Sequence, residues 1–161
     1  MLDRLMGTET EYAIRYVPDD GEAHPGNHVL FDRIANAVEE LVHVGQSDGP
    51  SAHEGRRYFI ENGGAFNFEQ AAVQGGLFEA STPECRGPAQ TLLYQRAQDQ
   101  LLEEAVAIAE ERIRSEGSAA ELGLLKNCRD AFGNLYGAQE NYEVTIARGP
   151  RLWAWRLAVA T

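Results

Sequence analysis

The chain has 161 residues, 43% of them hydrophobic, which is enough for one domain with a sizeable core and too apolar for a disordered segment. Its 25 acids against 14 bases give a formal net charge of -11, which argues against nonspecific binding to nucleic acid or to an anionic membrane. No apolar signal core follows Met1-Leu2-Asp3-Arg4 and no run is long enough to span a bilayer, so a cytoplasmic protein with no nucleic-acid or membrane partner is expected.

The opening stretch, Leu5 to Tyr16, has the alternation of a strand. Glu9 and Glu11 fall on one face, and Met6, Tyr12, Ile14 and Tyr16 on the other. Two carboxylates two residues apart on a strand sit roughly 6.5 Å apart. That is close enough to converge on a divalent cation, although a half-exposed strand with solvated acids explains the pair equally well on its own. A polar, turn-rich connection from Pro18 to Gly26 follows, and Asn27 is the expected N-cap of a helix. Leu30, Ile34, Val38, Leu41 and Val42 recur at helical spacing through Val44, with Gly45 as the stop. Residues 46–55 read as a loop. His24, His28, His43 and His53 share no ligand spacing and read as surface residues, and Cys85 and Cys128 read as free thiols.

Tyr58 to Glu69 reads as a hairpin whose Asn62-Gly63 pair favours a type I′ turn. On its second arm Phe66 and Phe68 point one way, and Ala65, Asn67 and Glu69 the other. After a small, polar loop from Gln70 to Gly76, a third arm from Leu77 to Thr82 places Glu79 and Ser81 opposite Phe78, and Pro83 ends it. Three arms thus carry acids away from their aromatics. Gly87-Pro88 opens a long helix running to Gly117, with Leu92, Leu93, Ala97, Leu101, Ala105, Ile108, Ala109 and Ile113 as its apolar stripe and a solvated charged face. Leu122 to Asn127 and Tyr136 to Ala147 read as strands, the latter with Val144 and Ile146 on its apolar side and a turn from Asp130 to Gly133 between them. Gly149-Pro150 opens a last helix containing Leu152, Trp153, Trp155, Leu157 and Val159, which stops at Thr161 without a capping signal, as if cut off. No phosphate-binding loop, dinucleotide fingerprint or nucleophile elbow is present.

Four stretches, in order, resemble the Pup ligase and depupylase family: Met6-Gly7-Thr8-Glu9-Thr10-Glu11-Tyr12, Asn62-Gly63-Gly64, Glu79-Ala80-Ser81-Thr82-Pro83-Glu84-Cys85, and Leu125-Lys126-Asn127 with Asp130, Gly133-Asn134, Tyr136-Gly137 and Glu140-Asn141-Tyr142. The resemblance implies an α+β fold, a curved and mainly antiparallel sheet backed by helices as in glutamine synthetase. It also implies that 1–161 is the N-terminal part of a single, incomplete ligase-like catalytic domain. Members use Mg²⁺ and ATP to activate the C-terminal glutamate of a Pup-like protein modifier and join it to a lysine of a protein substrate, or run the reverse depupylation. The resemblance places metal-binding glutamates at Glu9 and Glu79, with Glu11 beside them, and nucleotide contacts at Thr82, with Asn141 and Gln139 nearby. Hard oxygen ligands suit Mg²⁺, and the ion offsets the charge with which so acidic a protein would repel phosphate.

Departures from the family pattern are as informative as the matches. The family's catalytic aspartate falls on Glu69, its metal-contacting tyrosine on Asn67 and its nucleotide-contacting arginine on Ala65; Gln139 stands for a histidine, and the spacing from Asn62 to Glu79 is lengthened. Glu69 keeps a carboxylate base but displaces it by one methylene. The expected function is therefore ligation or depupylation with Glu69 as general base. The alternative is a non-catalytic paralogue that binds the modifier or a partner. A glutamate-cysteine-ligase-like enzyme and an unrelated acidic domain are less favoured. An incomplete sheet is also expected to leave an unpaired edge through which chains associate.

Overall fold

The computed structural model describes residues 5–48, 56–70, 75–127, 129, 133, 135–143 and 149–159. Within them the chain is α+β, with eight strands and three helices. β1 (Leu5–Val17) is the centre of an antiparallel sheet. On one side it pairs with β5 (Leu77–Ser81) and the short β6 (Cys85–Arg86), and on the other with β7 (Glu121–Leu125) and β8 (Ala138–Tyr142). The sheet continues outward from β5 through β4 (Ala65–Glu69) and β3 (Arg56–Ile60) to β2 (Val44–Asp48).

Alternation decides what each face of the sheet does. Thr10, Tyr12 and Ile14 of β1, Tyr58 of β3, Phe66 of β4 and Phe78 and Ala80 of β5 are buried under the first two helices, α1 (Asn27–Leu41) and α2 (Pro88–Ser115). Phe31 of α1 is the hub of that core, with its ring 5.0–6.3 Å from those of Tyr58, Phe66, Phe68 and Phe78. The intervening residues, Glu9, Glu11, Glu69 and Glu79 among them, are left on the opposite face. Among the described residues no helix is long and apolar enough to cross a membrane.

Several local expectations are corrected. The first helix ends at Leu41 rather than Val44, because Val42 turns to an extended conformation and Val44 enters β2, pairing with Ile60. That strand occupies the start of the expected 46–55 loop. Gly26, not Asn27, is the N-cap; the Asn27 amide instead donates to the carbonyl of Gly76 at 2.9 Å and ties the helix start to the entry of β5. The hairpin turn is not type I′, which needs positive φ at both central residues. Only Gly63 has it (φ 90°), the Gly63 N–H donates to the Ile60 carbonyl, and the Asn62 side chain accepts the Gly64 N–H at 2.8 Å. This is a three-residue loop with a glycine bulge. Its register places Tyr58 opposite Phe66, where the two rings stack with centroids 4.8 Å apart.

The first turns of α2 depart furthest from expectation. Leu92 and Leu93 are exposed, whereas Thr91 and Gln98 are buried. The helix turns a polar stripe to the underside of β1: the hydroxyls of Thr8 and Thr10 donate to Gln95 Oε1, and the Tyr12 hydroxyl donates to Asp99 at 2.6 Å. Gln98 donates to Tyr12 and to the Ala80 carbonyl, and Lys126 holds both oxygens of Asp99 at 3.0 Å. Apolar packing resumes at Leu102, Ala105, Ala109 and Ile113. α3 (Pro150–Val159) forms as expected, with Trp153 and Leu157 exposed. Cys85 is a free, buried cysteine. Residues 130–132 of the expected Asp130 to Gly133 turn, together with Val144, Ile146, Cys128 and His53, lie outside the described residues.

Candidate functional site

Register brings the acids together. Glu11 of β1 is directly opposite Glu79 of β5, and Glu79 is directly opposite Asn67 of β4. Glu69 is opposite Leu77, which makes it the diagonal neighbour of Glu79. Carboxylate oxygens of Glu11, Glu69 and Glu79 all lie within 4.8 Å of one another. Glu9 is one row along, opposite Ser81 on one side and Gln139 on the other. Glu9 and Glu79 therefore point to the same side of the sheet, and both line a cleft of about 600 Å³ with Glu11, Glu69, Tyr136 and Gln139.

Each acid of this group is held differently. The Gly137 N–H donates to Glu11 Oε2 at 2.8 Å, and the Glu11 N–H donates to the Gly137 carbonyl at 2.8 Å, so the residue just before β8 fixes the direction of that side chain. Nothing in the local sequence signals this contact. Glu79 shares a hydrogen bond with Glu69; burial, that bond, and the charges of Glu69, Glu9 and Glu11 push its carboxyl up to about 7. Glu69 Oε2 is buried and has no hydrogen-bond partner. A buried, orphaned carboxylate oxygen beside two other carboxylates is costly unless a proton or a cation completes the set.

A second hollow of about 570 Å³ adjoins the first, with Glu9 lining both. It is bounded by Gly7, Thr8, Ser81, Thr82 and Asn141. Thr82 is buried, and its hydroxyl oxygen accepts the Thr8 N–H at 3.0 Å while its own N–H donates to the Thr8 carbonyl at 2.9 Å. Asn141 is opposite Gly7, and Gln139 donates to Asn141 at 3.3 Å. Of the residues singled out in the sequence, Glu11, Glu69 and Glu79 form one cluster, Thr82 and Asn141 line the neighbouring hollow, and Glu9 stands between the two. Gln139 belongs to the rim of the acidic cleft.

The donor set is chemically that of a hard divalent cation. An octahedral ion with bonds of about 2.1 Å places its ligand oxygens about 3.0–4.2 Å apart. The three carboxylates need only a small inward movement to meet that requirement.

Comparison with known proteins agrees with the arrangement of these strands. A family profile described as Pup-ligase protein matches residues 4–152. The Pup–protein ligase of Jonesia denitrificans is 31% identical over 147 residues, covering 89% of this chain and 28% of the relative, and that of Corynebacterium urealyticum is 32% identical over 142 residues, covering 88% and 25%. The crystal structure of the complex between the prokaryotic ubiquitin-like protein Pup and its ligase PafA superposes with a TM-score of 0.67 at 27% identity, over 96% of this chain and 28% of that one. The chain thus spans little more than a quarter of the length of these relatives. With the profile matching nearly its full length and the same fold in a solved relative, the chain belongs to the Pup-ligase family.

Proposed function

We propose that this chain carries the metal- and nucleotide-binding face of a carboxylate–amine ligase acting on a Pup-like protein modifier, with lysine-bearing proteins as acceptors. The observation that carries the reading is the convergence of Glu11, Glu69 and Glu79 from three strands, with one buried Glu69 oxygen lacking a partner. Those three residues would hold Mg²⁺, with Glu9 between the ion and the hollow bounded by Thr82 and Asn141, where ATP would lie. The bound ion would supply positive charge against which phosphate oxygens can approach a strongly acidic face. The chain's own part is orientation: Gly137, just before β8, fixes Glu11, and the β1–β5 ladder aligns Glu9 and Glu79. Ligation of a C-terminal glutamate to a lysine, or its reversal, also needs a base, a role that Glu69 would take in addition to its contact with the ion.

A second reading is favoured by one specific contact. Glu69 shares a hydrogen bond with Glu79, which favours a carboxylate that serves the cation alone and takes no proton from an acceptor amine. On this reading the face binds metal, nucleotide and modifier without turnover. Incubation of the chain with Mg²⁺, ATP and a Pup-like peptide ending in glutamate, with hydroxylamine as acceptor, separates the two. ADP and peptide hydroxamate are the result expected of a ligase, and their loss in Glu69→Gln with Mg²⁺-ATP binding retained would assign the base. Binding without product supports the second reading, and no binding of Mg²⁺-ATP contradicts both.

A further inference from the structure

Arg57 stands on the acidic face in the same row as the carboxylates. It is directly opposite Asn67, which is opposite Glu79, which is opposite Glu11. Residues opposite one another in an antiparallel ladder share a face, and three such steps of about 4.8 Å span the row from the arginine to β1. The Arg57 side chain is exposed, and among the described residues it makes no hydrogen bond or ion pair. Other cations on this face are differently placed. Arg15 is tied to Glu121 at 2.7 Å, and Arg86 is opposite Leu5, six residues along β1 from Glu11, or about 20 Å. Ala65, the diagonal neighbour of Arg57 across the β3–β4 ladder and the residue opposite Ser81 on β5, carries only a methyl group.

Electrostatics gives this placement a consequence. Four glutamates line the cleft, so with a divalent cation bound the face still carries excess negative charge, which a neighbouring cationic side chain would offset further as phosphate approaches the ion. From this juxtaposition we infer that Arg57 is a phosphate-binding residue, its guanidinium gripping the ligand's oxygens from the β3 side while the acids hold the cation from the β1–β5 side. A planar fork of donors suits a phosphate group, which it can engage through two parallel hydrogen bonds. The inference rests on the metal–nucleotide reading above, and names a residue outside the motifs that suggested it.

Isothermal titration of the chain with Mg²⁺-ATP and with Mn²⁺ alone, for wild type, Arg57→Gln and Arg57→Lys, tests it. Arg57 is exposed, so both variants should fold, which circular dichroism checks. The expected result is Mg²⁺-ATP affinity at least tenfold weaker in Arg57→Gln, an intermediate value in Arg57→Lys, and unchanged Mn²⁺ affinity in both. Unchanged Mg²⁺-ATP affinity in Arg57→Gln overturns the assignment and leaves the metal–nucleotide reading standing. An equal fall in Mn²⁺ affinity also overturns it, because Arg57 would then act through the shape of the acidic cluster. Failure of wild type to bind Mg²⁺-ATP overturns both.

Discussion

If Glu11, Glu69 and Glu79 hold a divalent cation, the cation must compete with the proton on Glu79. Burial, the hydrogen bond with Glu69 and the surrounding charges push that carboxyl up to about 7. At pH 6 about one tenth of Glu79 is ionised, and at pH 8 about nine tenths, so Mn²⁺ or Mg²⁺ affinity should rise about tenfold between the two. Stability without metal should run the other way. The folded-state pKa is above the ordinary glutamate value, so the folded chain binds this proton more tightly than the unfolded one. The contribution is fully present below about pH 4.5 and is lost as pH rises through about 7. Because the group is half-exposed, solvent screening reduces its size to about 1–2 kcal/mol. Calorimetric titration with Mn²⁺ at pH 6, 7 and 8, paired with urea unfolding with and without the ion, measures both effects. Glu79→Gln should bind at least tenfold more weakly at pH 8, lose the pH dependence and be more stable than wild type at pH 8 without metal. Wild-type affinity that is flat across this range would refute the reasoning.

Three further predictions concern the scaffold. Phe31→Ala empties the centre of the aromatic cluster and should cost about 3–5 kcal/mol, read by chemical denaturation; a loss under 1 kcal/mol would show that the cluster is not the core. Tyr12→Phe removes the hydroxyl that donates to Asp99 and accepts from Gln98, and should destabilise by about 1–2 kcal/mol, whereas a neutral outcome would mean that the α2–β1 network contributes no net stability. Gly76 has φ +80° and a Cβ there would come within 2.3 Å of the Phe68 ring and 2.9 Å of the Glu69 carbonyl. Gly76→Ala should therefore cost about 2 kcal/mol or more and weaken Mn²⁺ binding by displacing Glu69, and wild-type affinity in a folded variant would contradict that coupling.

Legibility in the sequence tracked the strength of the local pattern. The alternation of β1 placed Glu9 and Glu11 on the face away from Tyr12 and Ile14, and burial of Thr10, Tyr12 and Ile14 agrees. Glu79 and Glu69 were likewise on the faces their strands imply. What the local sequence lacked was register. Glu69 and Glu79 are separated by a connection between two strands, and only the β4–β5 pairing makes them diagonal neighbours. The same gap hid Arg57, whose relation to Glu79 passes through Asn67. The first turns of α2 mislead because Leu92 and Leu93 look like core residues, while the helix face that meets β1 carries Gln95 and Gln98 to satisfy Thr8, Thr10 and Tyr12. β2 carries no local strand signal because Gly45-Gln46-Ser47-Asp48 is polar and glycine-containing, and only pairing with β3 makes it a strand.

The most direct test of the central claim is a crystal structure of the chain grown with Mn²⁺ and ATP, with an anomalous difference map collected for the metal. The account predicts one strong peak about 2.1–2.3 Å from carboxylate oxygens of Glu11, Glu69 and Glu79. A peak held elsewhere, or an acidic cleft with no peak at saturating Mn²⁺, would contradict it.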